Sequence, residues 1–196
     1  MSSGRTFPCG RAIVPPKVSI SKFLGRLKGS FYNFHPHTIE GVVSTRAISF
    51  LKKKKIPYEV VKYEHKEKGA EFAARATGHP LERTVKTLVL ELDRKNYCLA
   101  LVPGHIELNL KELAAHLGVK RTAMVDIKTA ERLTGYLVGG ISPFGTKQRL
   151  WTIMESSILN NEEVLINAGQ RGMMLKMAPD DILRALDCRV APVARK

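Results

Sequence analysis

Cysteine is scarce: Cys9, Cys98 and Cys188 are the only three in 196 residues. They are odd in number, widely spaced and joined by no CxxC or Cys/His cluster, which excludes a disulfide framework and a cysteine-based zinc site. A reducing, cytoplasmic compartment is therefore expected. Long apolar runs are also missing. Nothing approaches the roughly 18 consecutive apolar residues of a membrane-spanning helix, so no membrane partner is expected. GxGxxG and GxxxxGK[ST] nucleotide cradles are absent, as are a GxSxG elbow and any Ser/His/Asp order. His65, His79, His105 and His116 show no HxxxH or HExxH spacing, and His35-Pro-His37 offers two imidazoles without a third ligand. No metal and no cofactor are expected, and any catalysis must rest on positioning, backbone dipoles and charge.

Acidic residues are the other shortage. Eighteen Asp and Glu stand against 32 Lys and Arg, a formal net charge of +14. An excess of that size on a small protein favours a polyanionic partner, nucleic acid first. The apolar fraction of 44% is ordinary for a folded domain, and the length suits one core with a tail.

The chain divides at about residue 42. Residues 1–41 carry Arg5, Arg11, Lys17, Lys22, Arg26 and Lys28 against Glu40 alone. Pro and Gly are scattered through them and no apolar period is sustained, so they read as a basic, disordered extension; a transit-like leader is the other reading. Residues 42–196 read as one mixed α/β domain. Ser44 or Thr45 can cap a helix through Leu51, and Tyr58–Tyr63 is a short strand. Ala70–Thr77 and Leu110–Leu117 are helices stopped by Gly78 and Gly118. Val85–Leu92 and Tyr97–Val102 form a hairpin. A strand near Ala123–Val125, a helix near Lys128–Thr134 and a short strand Tyr136–Val138 follow. Leu150–Ile153, Val164–Asn167 and Met173–Met177 are strands, and Pro179–Leu186 is a final helix with acids in its first turn.

Two features carry chemistry. In Val85–Leu92, alternation sets Lys86 on the face of Leu88, Leu90 and Leu92. Burying an unpaired ammonium there costs several kcal/mol, so Lys86 is either a snorkelling stem at a sheet rim or a charge aimed at an anion. The second feature is Gly139-Gly140-Ile141-Ser142-Pro143-Phe144-Gly145, straight after the strand Tyr136–Val138. Adjacent glycines admit positive φ and let another molecule approach the backbone N–H groups. Cys98, inside an apolar strand, reads as a core residue with a raised thiol pKa rather than a nucleophile.

Tyr58–His65, Val85–Val89 and Gly135–Gly145, with the later Asn167–Gly172, together resemble the YbaK/EbsC family of aminoacyl-tRNA deacylases, relatives of the editing domain of bacterial prolyl-tRNA synthetase. The resemblance covers about residues 44–195. It implies a mixed β-sheet or partly closed barrel flanked by helices, and hydrolysis in trans of the ester of a mischarged tRNA, Cys-tRNA(Pro) first. The need is physical: a pocket for proline rejects amino acids of similar size by only about 1–3 kcal/mol per methylene, so a second sieve is required. On this likeness Lys86 fixes the 3′-terminal nucleotide of the tRNA, and the Gly139 backbone orients or polarises the aminoacyl carbonyl. Tyr63, Thr87, Gly140, Ser142, Pro143 and Asn167 shape the substrate pocket. Cysteine-specific relatives are thought to let the substrate's own thiol attack. Prolyl-tRNA synthetase is the protein partner the likeness suggests. Where such relatives carry Ser and Asp, this chain has Asn167 and Met174, which leaves alanine or another small amino acid as an alternative substrate. A noncatalytic basic module that holds tRNA or a synthetase is the alternative from outside enzymology.

Overall fold

A computed structural model describes residues 44–93, 96–186 and 188–194; the extension 1–41 lies outside the described residues. Thr45 opens α1 (Arg46–Lys54), its hydroxyl accepting the Ile48 N–H at 3.2 Å. Lys52, Lys53 and Lys54 crowd the last turn, where cations favour the helix dipole. The chain then runs β1 (Glu59–Lys62), α2 (Ala70–Thr77), a 3₁₀ turn at Leu81–Arg83, and the long hairpin β2 (Thr84–Leu92) and β3 (Asn96–Pro103). Next come α3 (Leu110–Leu117), β4 (Thr122–Met124), α4 (Ile127–Thr134) and β5 (Trp151–Glu155). A 3₁₀ turn at Ser156–Asn160 leads to β6 (Val164–Gln170), β7 (Met173–Met177), α5 (Pro179–Leu186) and β8 (Arg189–Ala191).

The strands form a single mixed sheet in the order β1-β7-β6-β2-β3-β5-β8, with β4 paired to β2 beside that path. The path is open: β1 and β8 end it. Hairpin neighbours are antiparallel, whereas β2–β6, β3–β5 and β5–β8 are parallel because helices or long loops intervene. Alternation sends Val85 and Val89 to one face, where they join the clusters containing Ala47, Ile48 and Leu51 of α1, Ile182 of α5, and Ala130 and Leu133 of α4. Leu90 and Leu92 face the opposite side with Leu113 of α3, and Ala73 of α2 packs there on Leu165 and Met174. Helices on both faces explain why β2 reads as apolar on both.

The expected mixed α/β fold is observed, with two local differences. Tyr136–Val138 is not a strand: Tyr136 is buried, its hydroxyl donates to the Phe144 carbonyl at 2.7 Å, and no strand among the described residues pairs with the segment. β8 was not anticipated. Three residues carry no period, and what holds them comes from far away: they pair in parallel with Ile153–Glu155 of β5, and just beyond them the buried Glu155 carboxylate accepts the Val193 and Ala194 N–H groups at 2.6 and 2.7 Å.

One irregularity positions everything that follows. β6 pairs with β2 only at Thr84 and Val85, and β4 pairs with the same edge only at Leu90–Leu92. Residues 86–89 between them face a tear in the sheet.

Candidate active site

A cavity of about 450 Å³ occupies that tear. It is lined along β2 by Lys86, Thr87, Leu88 and Val89, and from both faces of the sheet, by Ala73 and Met174 on one side and Ala130 on the other. Tyr63, Asn167, Val138, Gly139 and the exposed residues Met124 and Ile127 complete the wall and rim. No carboxylate, imidazole or thiol lines it. Among the described residues no cluster of His, Cys, Asp and Glu could hold a metal ion.

The edge of β2 itself is reactive in the hydrogen-bonding sense. The Val89 carbonyl accepts the Val125 N–H at 3.3 Å, which marks odd-numbered peptide groups as facing the tear. Alternation therefore turns the Thr87 N–H and C=O into the cavity between the reach of β6 and of β4. The Thr87 hydroxyl is buried there without a hydrogen-bond partner. Buried polar groups of this kind are nearly always paired in a working state, so the wall at Thr87 is built to receive something polar.

Lys86 points the other way across β2, toward α2. Its stem lines the cavity and an adjoining groove at the start of α2, while its Nζ donates to the Ile106 carbonyl at 2.8 Å. Burial lowers its pKa from the ordinary lysine value, and Glu107 and Glu71 pull it partly back. The two readings of this lysine thus merge: it snorkels along the rim and keeps a tethered cation where cavity and groove meet. Lys68 and Gly69, from the loop into α2, line both spaces as well.

Gly139 sits in a tight turn off the C-terminus of α4. The Gly140 N–H closes it onto the Leu137 carbonyl at 2.9 Å, and Gly139 has φ +92°. A residue with a side chain is strained there. Three side chains grip this turn. Glu131 of α4 accepts the Val138 N–H at 3.0 Å. Asn167 donates to the Gly139 carbonyl at 3.2 Å, and its own carbonyl accepts the Gly169 N–H at 3.1 Å. Arg171 donates to the Val138 carbonyl from Nε at 3.0 Å and Nη2 at 2.7 Å.

Of the residues singled out in the sequence, the structure brings Tyr63, Lys86, Thr87, Gly139 and Asn167 to one cavity. Tyr63 is half-buried, its phenol pKa raised by burial, and its N–H donates to the Gly172 carbonyl at 3.0 Å. Gly140, Ser142 and Pro143 do not line the cavity. They are buried in the turn and the loop behind it, with the Ser142 hydroxyl accepting the Phe144 N–H at 3.4 Å. Cys98 lies in the core under α3, its thiol pushed up to about 12 by burial, as expected of an inert cysteine. Arg171 and Glu131 went unread as site residues. Nothing local marks either, since each acts on a turn distant in the chain.

A cavity with a tethered cation, an open strand edge and a gripped glycine turn, but no nucleophile, is the setting in which known proteins become informative. The aminoacyl-tRNA editing domain family matches residues 64–185. EbsC of Enterococcus faecalis, which carries the name of a Cys-tRNA(Pro)/Cys-tRNA(Cys) deacylase, is 32% identical over 154 residues, 78% of this chain and 94% of its own length. ProXp-y of Escherichia coli, a multifunctional Ser/Thr-tRNA deacylase by name, is 25% identical over 147 residues, 73% of this chain and 87% of its own. A solved structure described as a trans-editing enzyme for prolyl tRNA synthetase superposes with a TM-score of 0.71 at 24% identity, covering 77% of this chain and 96% of that one. Sequence and fold agree: this chain belongs to the aminoacyl-tRNA editing domain family.

Proposed function

We propose that the protein is an aminoacyl-tRNA deacylase acting in trans that hydrolyses the ester of a tRNA carrying a wrong, small amino acid, cysteine on proline tRNA first. The observation that carries this reading is the tear in the sheet, which gathers Lys86, Thr87 and Gly139 around one cavity of about 450 Å³. Lys86 anchors the terminal nucleotide of the tRNA through its phosphate, with the ammonium already poised at the rim. The Gly139 N–H polarises the ester carbonyl and stabilises charge on its oxygen as the tetrahedral intermediate forms. Tyr63, Thr87 and Asn167 frame the amino acid. For a cysteinyl ester the substrate's own thiol bonds to the carbonyl carbon, the ester carbon–oxygen bond breaks, and the ribose oxygen takes the thiol's proton. Water then opens the cyclic thioester to free cysteine; an ester without a thiol is attacked by water directly.

No thiol, carboxylate or imidazole lines the cavity, and the Thr87 hydroxyl has no hydrogen-bonded base to activate it, which suits a substrate that brings its own thiol. The amino-acid end is bounded by Ala73 and the buried Met174. This apolar part of the wall suits the side chains of cysteine and alanine, while the unpartnered Thr87 hydroxyl offers a hydrogen-bond partner to serine or threonine. The relatives' names span both choices, so the side chain accepted is a matter of this wall rather than of the family. Residues 42–196 form the deacylase unit and residues 1–41 a basic extension that adds affinity for RNA. Proline selectivity comes from association with prolyl-tRNA synthetase in the cytoplasm, where tRNA is charged.

The test uses the purified full chain with proline tRNA charged separately with cysteine, alanine, serine, threonine and proline, beside a Lys86→Ala control. Fast loss of the cysteinyl ester, abolished in the control, is the expected outcome. Preference for another ester moves specificity to Asn167 and Met174. Loss of no ester, with tRNA still bound in a salt-dependent manner, would replace catalysis by a noncatalytic tRNA-holding role.

A further inference from the structure

We propose that Arg171 is a positioning residue: a latch that selects the turn conformation in which the Gly139 N–H faces the cavity. The inference rests on the deacylase reading for its kinetic consequence, but its geometry stands independently. The turn Leu137–Gly140 is closed by the Gly140 N–H on the Leu137 carbonyl at 2.9 Å. Its third residue, Gly139, has φ +92°, while Val138 is not among the residues with positive φ. Positive φ at the third position alone defines a type II turn.

Types I and II differ by a flip of the central peptide, here the one joining Val138 to Gly139. In a planar trans peptide the C=O and N–H point in opposite directions. Whatever holds the Val138 carbonyl therefore aims the Gly139 N–H the opposite way. Arg171 holds that carbonyl with two donors, at 3.0 and 2.7 Å. Val138 and Gly139 line the cavity, whereas Arg171 does not. The proposed arrangement therefore has the guanidinium behind the turn and the N–H it aims on the cavity side. After a flip the Val138 carbonyl would face the cavity, and an oxygen there repels a developing oxyanion instead of stabilising it. Glycine at 139 tolerates either turn, so the residue that makes the approach possible does not choose between them. Arg171 does.

The latch is itself well supported. Arg171 lies in the tight connection between β6 and β7, beside Gly172, whose carbonyl accepts the Tyr63 N–H at 3.0 Å. Its backbone backs the turn as well: a Cβ placed on Gly140 would come within 3.0 Å of the Arg171 nitrogen. One hairpin tip therefore sets both the Tyr63 wall and the direction of the Gly139 N–H. Glu131 and Asn167 hold the flanking Val138 N–H and Gly139 carbonyl, which locates the turn but leaves the central peptide to Arg171.

The experiment compares wild type, Arg171→Ala and Arg171→Lys in the full chain, using the ester that wild type cleaves fastest. Arg171→Ala is expected to lose about 10²-fold in kcat, the scale of a lost oxyanion donor, with KM nearly unchanged. Added guanidinium ion should restore part of that loss. Arg171→Lys should fall between, because an ammonium lacks the two-pronged fork, and it remains a test if Arg171→Ala does not fold. A second arm needs no activity. In the isotopically labelled protein the nuclear Overhauser contact from Val138 Hα to the Gly139 amide is strong in a type II turn. It should weaken in Arg171→Ala in favour of an amide–amide contact. An unchanged contact pattern, or a rise in KM at constant kcat, overturns the latch. If wild type cleaves no ester, the deacylase reading fails while the spectroscopic arm still decides the latch.

Discussion

Lys86→Met isolates the charge at the rim from the stem that lines the cavity. Methionine keeps the unbranched length along Leu88 and removes the ammonium that donates to the Ile106 carbonyl at 2.8 Å. A hydrogen bond from a charged donor is worth about 1.5–3 kcal/mol. Two effects offset that loss in the fold. Burial already holds the Lys86 pKa down, so the charged form sits there at a cost. Ile106 is only half-buried, so water can take over its carbonyl. The net destabilisation should be about 1 kcal/mol or less, a fall of at most about 2–4 °C in Tm for a chain of this size. Deacylation should suffer far more. Losing one charge-assisted phosphate contact lowers kcat/KM by about 10- to 100-fold. It also flattens the dependence of log(kcat/KM) on log[salt] by about 0.7, the contribution of one phosphate on a single strand. Lys86→Arg should keep the salt slope. In wild type the protonated amine carries the activity, so turnover falls as pH rises through a pKa below the ordinary lysine value; arginine, protonated throughout, should abolish that alkaline limb once spontaneous ester loss is subtracted. The assay is initial-rate deacylation across a salt series, with thermal melts in parallel. A Lys86→Met protein with wild-type kcat/KM and an unchanged salt slope would refute the role assigned to the charge.

Two further substitutions probe the turn and the far edge of the sheet. Gly139→Ala puts a Cβ 3.4 Å from the Arg171 Nε and 3.5 Å from the Lys68 Cγ, ordinary contacts with movable side chains. Its cost is therefore the positive φ, about 1–2 kcal/mol, and kcat should drop by more than that loss of stability suggests; undiminished kcat would remove the Gly139 N–H from the reaction. Glu155→Gln places an amide NH₂ among donors that the carboxylate now accepts, from Val193, Ala194 and Ser157. A loss of about 2–4 kcal/mol, or on the order of 5–10 °C in Tm, follows, and an unshifted melt would show that the segment just after β8 is held by other means.

What could be read from the sequence follows the range of the forces involved. α2 and α3 end where a single glycine takes the left-handed conformation, Gly78 at φ +69° and Gly118 at φ +65°, and both stops were legible because a cap is a local event. The hairpin β2–β3 was legible for the same reason. Lys86 stood out because one charge interrupts an apolar alternation. Tyr136–Val138 misled because its β-formers answer to tertiary contacts: the Tyr136 ring lies under the Arg46 guanidinium, 4.6 Å from its centroid, and against Gly169 of β6, while no strand among the described residues pairs with the segment. Asn167 read as a departure from cysteine-specific relatives, but its amide is engaged at both ends in holding the Gly139 turn. Its identity therefore bears on the geometry of the Gly139 turn as well as on the cavity wall.

The tear in the sheet had no local signature at all. It exists because β2 is nine residues long while β6 reaches only its first two residues along that edge and β4 only its last three. Both pairings are long-range, one with a strand about 80 residues downstream, and each stops for reasons of its own: β6 bulges after Asn167, and β4 gives way to the Asp126 cap of α4. A gap left by two such terminations costs stability in an ordinary sheet, because peptide groups such as those of Thr87 lose their partners. In this protein the gap is the only stretch of strand edge among the described residues with a lysine, a lone buried hydroxyl and a latched glycine turn around it. An edge left unsatisfied in this way is open to a polar ligand that completes its hydrogen bonds, and under the proposed function an aminoacyl ester meets that demand, its carbonyl accepting and its α-ammonium donating.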